Sequence, residues 1–276
     1  MDGSWVARGL AAAGGVARRF HSGRVSAQQR VHVAAFLIAL AALPAFAADD
    51  RIQFNPAITQ EEFRTFSHLI AQGVYATPVA PARTSGVLGF DIGIAATVVK
   101  VDTAASYWRN AVSNAGAFET SGYVGVPRLV VSKGFGSGTI SGSYAKLSDS
   151  GIKTYGGALD LPIIRGGLVA PELAVRGAYA VVSGVDVYDL KTYGAEIFLS
   201  KGFGPVTPYG AVGRMRSDAR GIIPATVFTP ESTMRDRSDI NRYTVGVRIS
   251  LLLPKITIEA TQAEVRSYAA KVSIGF

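Results

Sequence analysis

The chain has 276 residues, 31 glycines, 11 tyrosines, no cysteine and a formal net charge of +8. The missing cysteine excludes a disulfide scaffold, thiol catalysis and a thiolate-bound metal, and the length suits one β-domain or two ordinary ones. Read in chain order, residues 33–47, VAAFLIALAALPAFA, form a short apolar run preceded by arginines, and Ala45–Ala47 has the small-x-small form of a cleavage site. This predicts a secretory signal over 1–47, with a long basic leading region, cut near Ala47. Its removal takes away five arginines and one aspartate, so the net charge falls from +8 to +4, and no nucleic-acid partner is expected.

Residues 48–84 are predicted to hold a helix and a linker in the periplasm. Over 59–73, Thr59 can cap, Glu61 and Glu62 sit in the first turn, and Phe63, Phe66, Leu69 and Ile70 make one apolar stripe. The stripe permits three positions: inside a barrel, on the inner leaflet, or packed beneath a barrel. A Pro/Ser/Gly linker follows, TPVAPARTSG.

From 85 to 276 the pattern alternates with a period of two. Ten strands are predicted (8–12 fit the pattern), at about 87–101, 123–133, 138–147, 152–162, 171–183, 188–201, 205–217, 240–251, 255–263 and 267–276. On each, large apolar side chains are expected to face lipid and polar ones the lumen. In the seventh, Tyr209, Ala211 and Met215 are set outward against Arg214 and Arg216; in the eighth, Tyr243, Val245, Val247, Ile249 and Leu251 oppose Arg242 and Arg248. Strands of this length cross a bilayer at a tilt. If the first runs outward, the longest connections, about 102–122 and 218–239, fall on the outer side and the short ones in the periplasm, an asymmetry typical of membrane barrels. Two inner turns repeat, SKGFGSG and SKGFGPV. They read either as interfacial anchors or as similar glycine-rich hairpins.

The fold expected is therefore all-β: a single antiparallel up-and-down transmembrane barrel. Its last segment, YAAKVSIGF, alternates to the final residue, with Tyr268, Val272, Ile274 and Phe276 on one face. That segment resembles the carboxyl-terminal signal of bacterial outer-membrane barrels. The resemblance implies recognition by the barrel assembly machinery and a place in the outer membrane of a Gram-negative bacterium. The helix, the linker, LGFDIGI and the repeated SKGF also resemble a group of outer-membrane barrels without an assigned function, which implies the fold and no site residues.

The inward parity carries charges: Asp91, Arg128, Asp160, Glu172, Arg176, Glu196, Arg214, Arg216, Arg242, Arg248, Glu259 and Lys271. One Arg or Lys facing lipid near the midplane costs about 2–4 kcal/mol, so these side chains are expected to meet water or one another. Either they pair across a filled lumen, or they line a narrow pore. In the second case Arg214, Arg216, Arg242 and Arg248 would favour anions. Of three histidines only His68 follows Ala47, so Ser-His activation is not expected in the barrel, nor are a metal or a cofactor. The outer connection at 218–239 offers Arg220, Arg235 and Arg237 to lipopolysaccharide, beside general contacts with membrane lipid. The function expected is a non-enzymatic outer-membrane barrel, structural or conducting small solutes. The alternative is a soluble periplasmic lipocalin-like barrel binding a hydrophobic ligand.

Overall fold

The computed structural model describes residues 52–82, 86–113, 122–146, 151–167, 170–228 and 230–276. The expected signal segment and its cleavage site lie outside these residues. Ten antiparallel strands close into one barrel in the order β1-β10-β9-β8-β7-β6-β5-β4-β3-β2. They are β1 (Phe90–Lys100), β2 (Tyr123–Phe135), β3 (Gly138–Lys146), β4 (Lys153–Ile164), β5 (Glu172–Ser183), β6 (Tyr188–Ser200), β7 (Val206–Ile223), β8 (Ser232–Ser250), β9 (Pro254–Gln262) and β10 (Arg266–Gly275). Closure is a β1–β10 ladder running from Asp91↔Gly275 to Val99↔Ser267. Helix α1 (Gln60–Val74) precedes the barrel in sequence, and a single turn, α2 (Ser106–Arg109), lies in the β1–β2 connection. Among the described residues no helix is long and apolar enough to cross a membrane.

The outward surface is apolar because every second residue of the wall is. Ile92, Ile94, Leu129, Val131, Ile140, Leu159, Ile197, Val212, Val245 and Ile258 are all exposed there. Two aromatic rows bound this belt. At the end where β1 starts and β10 finishes stand Phe135, Phe203 and Phe276. At the opposite end stand Tyr144, Tyr155, Tyr179, Tyr193, Tyr243 and Tyr268, with Tyr144 paired to Tyr155 and Tyr179 to Tyr193 across their ladders. The first is here termed the terminal end, the second the hairpin end.

Strands β7 and β8 run much further than the alternation of apolar residues predicts. They pair from Val206↔Ile249 to Ile223↔Ser232, so the expected connection at 218–239 shrinks to residues 224–231. Beyond the tyrosine row the outward positions carry Asp218, Arg220, Arg237 and Arg235, so the lipid-facing signature ends before the strands do. The parity of β7 is also the reverse of the expectation. Tyr209, Ala211 and Met215 are buried inside, and Arg214 and Arg216 point outward with 64% and 43% of their side-chain surface exposed. The reason lies in the lumen, whose hairpin half is lined by apolar residues such as Met215, Leu190, Ile240 and Val182.

That apolar half receives α1. The helix is inside the barrel, one of the three positions that its stripe allows. Phe63, Phe66 and Leu69 are fully buried together with Phe54, Trp108 and Tyr188. The Phe66 ring lies 5.7 Å from Tyr188 and 6.0 Å from Trp108. Thr59 and Glu62 form a capping box at its start. From Tyr75 the chain continues as a buried segment, bent at Val79–Ala80, to Ala82 in the terminal half of the lumen. Two inward glycines mark the fit: a Cβ at Gly221 would strike the Phe63 ring, and one at Gly156 would strike Ala76.

Candidate functional site

The site is the contact between the barrel wall and residues 60–82, built largely by three arginines. Each stands on a different strand, and each is forced inward by the two-residue period. Arg128 on β2 donates to the Thr77 carbonyl at 3.1 Å and to the Gly73 carbonyl at 3.4 Å. Gly73 is in the last turn of α1, which has no basic residue of its own, so Arg128 supplies the cation that a helix carboxyl end favours. Arg176 on β5 grips Asp160 with two bonds, 2.6 and 2.9 Å, and donates to the Ala80 carbonyl at 3.0 Å. Its guanidinium also lies 4.2 Å from the centre of the Phe198 ring. Arg242 on β8 donates to Gln72 Oε1 at 2.6 Å and to Glu196 Oε1 at 3.2 Å, and stacks 4.4 Å over Tyr75.

A second group closes the terminal end. Asp91 accepts from Lys271 Nζ and Ser273 Oγ, both at 2.9 Å, and from Lys255 Nζ at 3.4 Å. Arg248 lines a small hollow with Asp91, Asp160 and Lys271 beneath Pro78, Ala80 and Pro81. Glu259 accepts from Tyr209 Oη at 2.6 Å. Thus the inward-facing residues expected from the sequence sit in two places. Asp91, Arg128, Asp160, Arg176, Glu196, Arg242, Arg248, Glu259 and Lys271 surround the threaded segment. Arg214 and Arg216 do not join them: Arg216 forms a two-bonded pair with Asp239, at 2.5 and 2.8 Å, on the outer face. The expected four-arginine lumen cluster is therefore a pair, because β7 turns its apolar side inward. Tyr268, Val272, Ile274 and Phe276 lie on the outward face of β10.

Sequence reasoning missed the hairpin-end contacts of α1. His68 stands between two carboxylates, with Nε2 2.9 Å from Asp236 and Nδ1 against Glu264. The carboxylates occupy opposite edges of the ring, so the three groups cannot converge on one ion, and no cluster suited to a metal occurs among the described residues. Gln72 donates to Ser267 Oγ at 2.7 Å, and Gln60 to the Arg235 carbonyl at 2.9 Å. Glu62 accepts from the Thr59 N–H at 2.8 Å and from Asn110 at 3.2 Å. Hydrogen bonds, that of Ser106 foremost, hold its carboxyl below the usual range. Ser67, His68 and Gln72 gave no signal of these contacts, because polar residues are equally at home on a helix face that meets water.

These features define a closed ten-stranded antiparallel barrel filled by the segment that precedes it. No family model matches the chain, and no curated protein matches it. Among solved structures of outer-membrane β-barrels, it is similar to the N-terminal barrel domain of Pseudomonas aeruginosa OprF, at 10% identity over 69% of this chain and 99% of that one, TM-score 0.34. The attachment invasion locus protein Ail of Yersinia pestis is 14% identical over 68% and 95%, TM-score 0.27. Neisserial surface protein A is 12% identical over 68% and 97%, TM-score 0.29. Similarity at this level carries no inference about function, which must come from the geometry.

Proposed function

We propose that the protein is a non-enzymatic outer-membrane barrel whose lumen is sealed by its own residues 52–82. The observation that carries this reading is the grip of Arg128, Arg176 and Arg242 on consecutive parts of that segment. The apolar belt between two aromatic rows suits a bilayer. A soluble lipocalin-like barrel would place apolar residues inside and charges outside at the belt, the reverse of this wall. The short connections suit a periplasmic terminal end, and the long β7–β8 hairpin suits the outer side. The charged inward residues then serve as internal ties, not as a selectivity element. The only histidine among the described residues is enclosed by carboxylates and buried, which supports a role without catalysis.

The deciding experiment is single-channel recording of the purified protein in a planar bilayer. Sealed barrels give no conductance steps. A Gly221→Leu variant, whose side chain invades the seat of Phe63, should give intermittent steps. Stable, ion-selective conductance in the parent protein would instead establish the narrow-channel reading.

A further inference from the structure

The reversal of β7 leaves a question: what do six cations do on the outside of a membrane barrel? They occupy successive cross-strand rows of β6, β7 and β8 that start within the tyrosine row, between Tyr243 and Tyr193, and run beyond it. Ala195–Arg214–Asn241 comes first, then Tyr193–Arg216–Asp239, Lys191–Asp218–Arg237 and Asp189–Arg220–Arg235. All these charged side chains point away from the lumen. The first arginine follows Val212 by one outward position, so the rows begin where the apolar belt ends.

Internal pairing accounts for only part of the charge. Asp239 takes Arg216 and lies 3.8 Å from Arg214, and Asp218 takes Arg237 at 2.7 Å. The last row differs. Arg220 and Arg235 face each other directly across the β7–β8 ladder, and neither guanidinium has an ion-pair partner among the described residues. Directly opposed like charges destabilise a sheet. Nothing in the barrel's own packing demands this pair, since both side chains are exposed. Around them the same strands shape a groove of about 620 Å³, lined by four cations, Lys191, Arg220, Arg235 and Arg237, and by the carboxylates Asp189, Asp218 and Asp236. Two guanidiniums that face each other across a ladder, neither in an ion pair with the carboxylates of the groove, suit an oxyanion that accepts paired bonds from each.

We infer that this face is a binding site for the phosphorylated sugar headgroup of an outer-leaflet glycolipid. The inference rests on the membrane reading given above, which sets its height: the groove lies at the headgroup level, just above the tyrosines that mark the interface. A lipid is the occupant favoured because the charged rows run without a break into the apolar belt below. Val212, Tyr193 and Tyr243 can meet acyl chains while the arginines above meet phosphate. A soluble polyanion would make no use of that continuity.

The test uses the full chain in phosphatidylcholine nanodiscs. The probes are diphosphorylated lipid A and the same lipid with both phosphates removed, and bound lipid per barrel is read by native mass spectrometry. The parent should retain the diphosphorylated form at least tenfold better. Arg220→Gln/Arg235→Gln should lose most of that preference, Arg220→Lys/Arg235→Lys should keep part of it, and Lys146→Gln/Lys153→Gln, on β3 and β4, should keep all of it. Without glycolipid, relief of the opposed charges should leave the glutamine variant's heat-modification midpoint equal to the parent's or higher; a lowered midpoint would mean that the pair serves the fold. Should the double variant fail to insert, Arg235→Gln alone carries the same expectation of a several-fold loss. Equal binding of both lipids by the parent, or an undiminished preference in the glutamine variants, would overturn the site. So would displacement of lipid A by free phosphate or a sulfated polysaccharide at lower concentration. A parent that does not enter nanodiscs at all would count against the membrane reading, a separate outcome.

Discussion

Phe90 and Phe276 close the barrel against each other. Each backbone N–H donates to the other's carbonyl at 3.0 Å, and their rings meet edge to face with centroids 4.8 Å apart. The first and last strands are thereby joined at their terminal-end limit by two hydrogen bonds and one aromatic contact. Phe276→Asp removes the ring contact and sets a charge at the inner edge of the belt. The variant should show sharply lower membrane levels and lose the gel shift between heated and unheated samples. Parent-like amounts of heat-modifiable protein would show that this residue guides neither closure nor its recognition.

Arg242 is worth more to the fold as a partner than as a charge. Replacing it by alanine takes the ion-pair partner from Glu196, of which only 1% of the side chain is exposed. Loss of one member of a buried pair costs about 3–5 kcal/mol. The double variant Arg242→Leu/Glu196→Leu should recover much of this, because it leaves no orphan charge. Urea unfolding in detergent micelles measures both, and equal losses in the single and double variants would contradict the pairing.

Gly156→Leu should act chiefly on the threaded segment, with Ser143 on β3 the nearest side chain of the wall to the new Cβ. Its side chain would enter the space of Ala76, and overpacking of this kind costs about 1–3 kcal/mol. The heat-modifiable barrel should still form, while the bonds beyond Ala76, to Thr77 and Ala80, weaken. Limited proteolysis should then cut within 75–82, where the parent resists. An unchanged digestion pattern would mean that the wall yields in place of the segment.

Acid should loosen the start of α1. The Glu62 carboxyl is held below the usual range, with Ser106 as the largest cause. A group depressed in the folded state stabilises fully above its unfolded value and loses that contribution as pH falls through the folded one. Stability attributable to Glu62 is thus present at neutral pH and lost in the acid range, beginning near an ordinary carboxylate value of about 4.3. Glu62→Gln should flatten that part of the pH profile of the thermal midpoint. Parallel profiles for the two proteins would rule the contribution out.

Much of the wall was legible because a bilayer imposes a strict rule on it: outward side chains within the belt must be apolar. Leu159 against Asp160, Ile197 against Glu196 and Tyr243 against Arg242 could be sorted by that rule alone. Beyond the belt the rule lapses, and Asp218–Ile223 and Ser232–Asp239 looked like a loop although they extend the longest ladder in the molecule. β7 inverted for a related reason. Polar-inside holds where the lumen is wet or charged, whereas Met215 and Ala219 face an apolar helix, and no local feature of the strand announces its occupant. The position of α1 was equally hidden, since its stripe fits three environments and only the inward glycines 156 and 221 record which one was chosen. The site followed from the wall: the arginines' parity was readable, and their partners at Gln72, Tyr75, Thr77 and Ala80 were not.

The threaded segment has a consequence for chain direction. Ile52 bridges Val112 in the β1–β2 connection, at the hairpin end, while Ala82 packs near Phe198 and Tyr209 toward the terminal end. The polypeptide thus traverses the interior once, from the hairpin end to the terminal end, before its first strand turns back. An epitope inserted just ahead of Ile52 should bind antibody on intact cells, whereas one placed after Ser137 in the β2–β3 turn should require permeabilised cells. The same path orders biogenesis. Residues 52–82 precede every strand in the chain, yet they finish enclosed, and a folded helix is not readily drawn into a ring already sealed by Phe90 and Phe276. The wall must therefore wrap around a cargo that arrived first, with the final β-strand acting as the clasp.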